Sequence, residues 1–213
     1  MLRVTSGKLR GFKMDVPDVA SVRPPLEMAR QAVFNILGQD LEGMRVLDLF
    51  AGSGIMGIEA LSRGAERAIF VEKDRQAIGT IERNLQKAKM TDVAVVVRAD
   101  AFRTERYLAT EKGIDLVFVD PPFEMIRMEE ERRRIAELVD ALYASPALAQ
   151  DATVIVRVPK GEALEPGPKS AVIDDDRQYG HSRIIFFARA AGGNESAGSE
   201  EPSPYPLPEG EGI

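Results

Sequence analysis

The feature that most limits what this chain can fold into is the alternation of short apolar, β-branched runs with longer stretches of helical period. Five runs read as strands: RVLDLF (45–50), RAIFVE (67–72), VAVVVRAD (93–100), IDLVFVD (114–120) and TVIVRV (153–158). Between them lie IMGIEALSRG, closed by Gly64, then RQAIGTIERNLQKAKM and EEERRRIAELVDALY, while LEMARQAVFNIL precedes the first strand. Such an alternation builds βα units, and parallel strands covered on both faces are apolar throughout, as several of these are. After Pro168, SAVID and RIIFFAR read as a closing hairpin. A chain of 213 residues, 44% of them hydrophobic, can fill one large α/β core, so one main domain is expected.

Composition removes several chemistries. There is no cysteine and one histidine, His181, so disulfides, thiolate metal sites and cysteine nucleophiles are excluded, and metal or Ser-His chemistry has almost no ligands to use. What remains is carboxylates, backbone and a borrowed cofactor, with no metal. The N-terminus MLRVTSGKLRG has no apolar segment and the apolar runs are only of strand length, so a soluble, cytoplasmic protein is expected.

The net charge of −6 is unevenly spread. From Ala191 to Ile213 there are five glutamates, four prolines, five glycines and no lysine or arginine, a composition that cannot bury a core and reads as a disordered extension. The first thirty residues go the other way: Arg3, Lys8, Arg10, Lys13, Arg23 and Arg30 outnumber Asp15, Asp18 and Glu27. A basic arm can supply phosphate contacts, and on charge alone this reading and that of a solvated hairpin weigh equally. In Glu129 to Arg134 opposite charges fall at helical spacing, which reads as a self-paired solvent face.

Two motifs carry chemistry. In VLDLFAGSGIMG a strand runs into a glycine turn, Gly52-Ser53-Gly54, and then a helix whose first N–H groups point back at the turn, which is a nucleotide cradle. Gly57 lets that helix sit close to the sheet. Twenty residues beyond Gly52, Glu72 ends the second strand where a carboxylate can accept both hydroxyls of a ribose. The same glycines match a dinucleotide fingerprint, so NAD has to be weighed. Asp48, inside the first strand, favours a cationic ligand, because a carboxylate there attracts a sulfonium and repels a pyrophosphate. S-adenosylmethionine is such a ligand. Asp100, followed by Ala101, is placed either to accept from an adenine amino group or to cap the next segment. Phe50, Ala51 and Lys73, flanking the turn and the acid, complete the cofactor set.

The second motif is DPPF, Asp120 to Phe123, at the end of the fourth strand beside the crevice. An exocyclic base amine is a poor nucleophile, so an enzyme that methylates it must hold both N–H bonds with acceptors. Asp120 offers a carboxylate oxygen and Pro121 its carbonyl, Pro121 and Pro122 stiffen the backbone, and Phe123 can stack on the base. Asp120 can also take up the departing proton.

The glycine turn together with DPPF resembles the class I S-adenosylmethionine-dependent amino-methyltransferases. From Arg3 to about Arg189 the chain is similar to the RsmD family of 16S ribosomal RNA guanine-N2 methyltransferases, through RVTSGKLRG, VRP followed by FNIL, VLDLFAGSG, GIEALSRGA, VEKD, DLVFVDPPF and Tyr179-Gly180. The resemblance implies an α/β, Rossmann-like sheet of seven mostly parallel strands, the last antiparallel, with helices on both faces. The expected organisation is a basic arm over residues 1–25, a methyltransferase domain over 26–190 and a disordered acidic tail over 191–213, the tail resting on composition alone because the family pattern has no counterpart for it. The resemblance also implies that a guanine in 16S rRNA is the target, probed within partly assembled small subunits by a monomer, and that Lys8, Arg10 and Arg23 contact the RNA. A DNA or other RNA amino-methyltransferase would use the same DPPF site. Phe12, Pro25 and Gln31 depart from the family pattern, where a basic residue, a threonine and a glutamate are usual; they bear on the grip of arm and first helix on RNA.

Overall fold

The computed structural model describes residues 2–17, 24–165 and 167–191, with the backbone alone for 24–26. Arg23 and all but the first residue of the acidic tail lie outside the described residues, as does the side chain of Pro25.

In chain order the regular elements are α1 (Pro24–Leu37), β1 (Arg45–Leu49), α2 (Ile55–Ser62), β2 (Arg67–Glu72), α3 (Arg75–Ala88), β3 (Ala94–Arg98), β4 (Ile114–Val119), α4 (Phe123–Ile126), α5 (Glu129–Ala144), β5 (Leu148–Pro159), β6 (Ala171–Tyr179) and β7 (Ser182–Arg189). One seven-stranded sheet has the order β3-β2-β1-β4-β5-β7-β6. The pairs from β3 through β5 are parallel, whereas β7 is antiparallel to both β5 and β6. The expected α/β sheet with an antiparallel last strand is therefore what forms. Chain order reverses at β1, which lies between β2 and β4, and ligands of such sheets bind at the carboxyl ends of strands flanking this point.

Period-2 alternation sorts the strands onto two cores. Leu47, Leu49, Val117, Val119, Val154 and Val156 face α5. Val46, Phe70, Leu116, Phe118 and Ile155 face α1, α2, α3 and the N-terminal arm. By the same alternation Asp48, Asp120 and Arg157 point toward the α1–α2 side.

The structure differs from the expected elements in three places. β5 starts at Leu148 rather than at residue 153, because Leu148 pairs with Ile114 ahead of a register shift and polar Gln150-Asp151 then hide the continuity. β6 runs on through Asp174-Asp175-Asp176 to Tyr179; it is an edge strand, and exposed charge there blocks pairing with other chains. Helix α4, four residues long, starts at Phe123 directly after the two prolines. In α5, Arg134 pairs with Glu131 at 2.7 Å as expected, but Arg132 turns instead to Glu162 at 3.2 Å and the Ile126 carbonyl at 3.0 Å.

Candidate active site

The exit of β1 is built by backbone conformations that few residues adopt. Gly52 and Gly54 have φ of 55° and 77°, and Phe50, which is not glycine, has φ of 58°. A left-handed Phe costs on the order of 1–3 kcal/mol and persists only where the surroundings impose it. Here the Phe50 ring meets Phe102 edge-on at 5.7 Å between centroids. Beneath the turn, Asp48 is 1% exposed and its Oδ2 accepts from the Gly57 N–H at 3.0 Å. Burial pushes the Asp48 carboxyl well above its ordinary value; the Gly57 N–H opposes this, and the negative charges of Asp120 and Glu72 reinforce it. Asp48 thus ties α2 to β1 from below.

Glu72 braces the turn from the side. One of its oxygens accepts from the Gly52 N–H at 2.9 Å and the other from the N–H groups of Lys73 and Asp74 at 2.8 and 3.0 Å. Asp74 in turn caps α3, accepting from Gln76 and Ala77. Asp100 is exposed and accepts from the Phe102 N–H at 3.1 Å.

Two cavities open at the carboxyl ends of these strands. One of about 230 Å³ is lined by Phe50, Gly52, Glu72, Lys73, Asp100 and Ala101, and on its other side by Asp120, Pro121 and Pro122. The other, about 210 Å³, lies toward α1 and the arm and takes Ala51, Ser53, Arg30 and Ile155 into its wall. Phe50, Gly52, Asp120 and Arg157 line both, so they stand at the junction. Asp48, Gly54 and Phe123 line neither: the first two support the turn from within, and Phe123 stands behind Arg157.

At the junction sits a residue that the sequence reading passed over. Arg157 on β5 donates from Nε to Oδ1 of Asp120 at 2.6 Å and approaches the same oxygen through Nη2 at 2.5 Å. Its guanidinium carbon lies 4.5 Å from the centroid of the Phe123 ring. The signal was present, since Arg157 interrupts an apolar run and Val119 pairs with Val156, which makes Asp120 and Arg157 the next residues on adjacent strands. Among the described residues no backbone donor reaches the Pro121 carbonyl, and Pro121 lines the 230 Å³ cavity.

The N-terminal arm closes the α1 side. It folds back on itself, with Arg3 bridged to Lys13 and Leu2, Val4 and Met14 buried. Buried Glu59 of α2 accepts from the Thr5 and Ser6 N–H groups at 2.8 and 3.1 Å, from Arg30 at 2.7 Å and from Arg63 at 3.0 Å. Burial pulls the Arg30 guanidinium down from its ordinary value against the pull of Glu59, and its Nε has no partner among the described residues. Buried Asn84 of α3 links the end of the arm to the glycine turn, donating to the carbonyls of Asp15 at 3.0 Å and Ser53 at 3.1 Å. Lys8 and Arg10 are exposed at the tip of the arm, which docks on Ser62 at the far end of α2. They stand away from the cavities by about the length of that eight-residue helix, ~12 Å at 1.5 Å per residue.

A cradle of this form, with DPPF at the neighbouring strand end and an antiparallel last strand, defines a class I S-adenosylmethionine-dependent methyltransferase. Residues 2–188 match the profile of the family described as conserved hypothetical protein 95, the RsmD family. YlbH of Bacillus subtilis is 40% identical over 189 residues, covering 88% of this chain and 99% of that protein. Ribosomal RNA small subunit methyltransferase D of Escherichia coli K12 is 32% identical over 198 residues, covering 92% of this chain and 94% of that one. The solved structure of YhhF from Escherichia coli superposes with a TM-score of 0.71 at 30% identity, covering 90% of this chain and 99% of that one. The chain belongs to this family. Membership decides for S-adenosylmethionine between the two ligands that the glycine turn allowed. Among the described residues no helix is long and apolar enough to cross a membrane, and no group of three or more His, Asp or Glu is placed to hold a metal ion.

Proposed function

We propose that this protein transfers a methyl group from S-adenosylmethionine to the exocyclic N2 amine of a guanine in 16S ribosomal RNA. The observation that carries the reading is the pair of acceptors, the Asp120 carboxylate at the junction of the two cavities and the Pro121 carbonyl beside it, on a residue lining the 230 Å³ cavity. Acceptors on both N–H bonds hold the amine and favour the tetrahedral nitrogen it becomes, so its lone pair is freed for attack. Glu72 and Asp100 in the 230 Å³ cavity suit the ribose and adenine of the cofactor, which supplies the electrophilic methyl group. An amine that gains a methyl group gives up a proton, and Asp120, the carboxylate assigned to hold that amine, would take it up. Positioning does most of the work.

Lys8, Arg10 and Arg23 are assigned to the RNA phosphates, with Lys8 and Arg10 reaching a strand that extends beyond the site. The substrate in this reading is a partly assembled small subunit, met in the cytoplasm by a monomer, with residues 1–25 serving as an arm on a catalytic domain over 26–190. The test is to incubate the protein and S-adenosylmethionine with small subunits lacking their methylations, digest the RNA and measure N2-methylguanosine by mass spectrometry. New N2-methylguanosine that disappears with Asp120→Ala is the expected result; a different methylated nucleoside, or none on particles or naked RNA, overturns the substrate assignment.

A further inference from the structure

Arg157 engages the two groups assigned above to the target base, the Asp120 carboxylate and the Phe123 ring. Its Nε and Nη2 both engage Oδ1 of Asp120, and its planar guanidinium lies over the Phe123 ring as a stacked base would. Unlike the arginines around Glu59, whose side chains are 4% and 2% exposed, the Arg157 side chain is 17% exposed and borders both cavities. Apart from Asp120 and the Phe123 ring, its polar contact among the described residues is a long one, 3.4 Å to the Ser182 hydroxyl. A base that takes this same oxygen of Asp120 and stacks on Phe123 has to displace the guanidinium from both.

A displaced arginine at the border of the site needs a new anion, because leaving a half-buried charge without a partner is costly. RNA brings one with every nucleotide, and a guanidinium matches phosphate oxygens in a bidentate fork. We propose that Arg157 is a positioning residue that stands in for the base while the site is empty and, on base entry, exchanges Asp120 for a backbone phosphate of the target strand. The charge count is preserved: Asp120 turns to the amine N–H bonds, and Arg157 turns to the phosphate. The exchange makes delivery of the base conditional on delivery of its phosphate, so a free guanine or guanosine is a poor substrate. This inference rests on the RNA reading given above.

The test compares wild type with Arg157→Met, which keeps an unbranched apolar stem, and Arg157→Lys, which keeps the charge. The KM for small subunits and kcat are measured between 50 and 200 mM salt, concentrations over which phosphate contacts are strongly screened (roughly 0.7 in the logarithmic slope per single-strand phosphate). The expected result for Arg157→Met is a KM raised about tenfold at low salt, with a salt slope shallower than wild type by about one such contact, and for Arg157→Lys a slope restored to wild type. An unchanged slope in Arg157→Met overturns the proposal, as does a loss confined to kcat and melting temperature, which marks a merely structural ion pair. If Arg157→Met does not fold, a wild-type KM and slope in Arg157→Lys support the exchange, and a shallower slope there overturns it. Wild-type turnover with an unaltered slope sinks this inference alone; no wild-type turnover on any RNA sinks the substrate reading and this inference with it.

Discussion

Gly57 lies so close to Phe70 that a Cβ on the glycine would meet Cε1 of the ring at 2.3 Å. The contact is what lets α2 settle onto β2 and aim its first turn at the ligand crevice. Phe70 is fully buried and has no room to withdraw. Gly57→Ala is therefore expected to cost about 1–3 kcal/mol through overpacking. Urea unfolding measures it, and adding Phe70→Leu in the same chain is expected to recover part of the loss. Additive losses in the double variant would show that the two positions do not share this contact.

Glu59 makes a second long-range tie, between the arm, α1 and α2. Removing it strands two buried guanidinium groups and the N–H groups of Thr5 and Ser6. Breaking one partner of a buried ion pair costs about 3–5 kcal/mol. Glu59→Ala is expected to lose stability on that scale and to free the arm first. Hydrogen exchange at Thr5 and Ser6 should rise toward unprotected rates while the amides of β1 and β4 stay slow. Continued protection of Thr5 would show that the arm is held by its apolar residues Leu2, Val4 and Met14 instead.

Much of this arrangement was legible in the sequence because it depends on local patterns. Short apolar, β-branched runs and glycine placement located β1, β2, β4 and the turn, while the hydrogen bond between the Gly52 N–H and Glu72, which was read as a ribose acceptor, is something the spacing did not announce. Contacts between residues distant in the chain were not legible. Glu59 reads as one more surface acid in a helix until the arm, which precedes it by more than fifty residues, folds over it. Arg157 was visible as an arginine in an apolar strand, but its partner is fixed by the β4–β5 register, which no single run encodes. Asp48 was read as a carboxylate that attracts a cationic ligand; what the sequence did not show is that it sits beneath the turn, where its Oδ2 accepts from the Gly57 N–H.

Asn84 positions the glycine turn from α3 without lining either cavity. Its amide donates to the carbonyls of Ser53 and Asp15 and accepts from the Asp15 N–H at 2.8 Å, so one side chain fixes both the turn and the end of the arm. Asn84→Ala leaves these backbone groups short of partners, at a cost of about 1–3 kcal/mol. Because the turn carries part of that loss, the dissociation constant of S-adenosylmethionine is expected to rise by about tenfold, equivalent to ~1.4 kcal/mol. Titration calorimetry reads this directly. An unchanged affinity beside lowered stability would confine the role of Asn84 to the arm.

Asp48 links the cofactor site to pH. Burial raises its folded carboxyl well above the unfolded value of about 3.9, so between the two values the folded protein holds a proton that the unfolded chain releases. The sign follows from proton counting. Its contribution is fully present below about pH 4 and is lost as pH rises from there toward the folded value, at up to about 1.4 kcal/mol per pH unit. Asp48→Asn keeps an acceptor for the Gly57 N–H and removes the titration. The stability of the variant relative to wild type is therefore expected to improve as pH rises from 5 to 8 in urea unfolding, and a difference independent of pH would mean that Asp48 is ionised in the fold. A cationic sulfonium placed above the turn favours the carboxylate, so S-adenosylmethionine binding to wild type is expected to release a fraction of a proton. Calorimetry in buffers of different ionisation enthalpy measures that release, which should vanish in Asp48→Asn and be smaller for the uncharged product, S-adenosylhomocysteine. Equal release in the variant and wild type would place the titrating group elsewhere and leave Asp48 the purely structural task of holding Gly57.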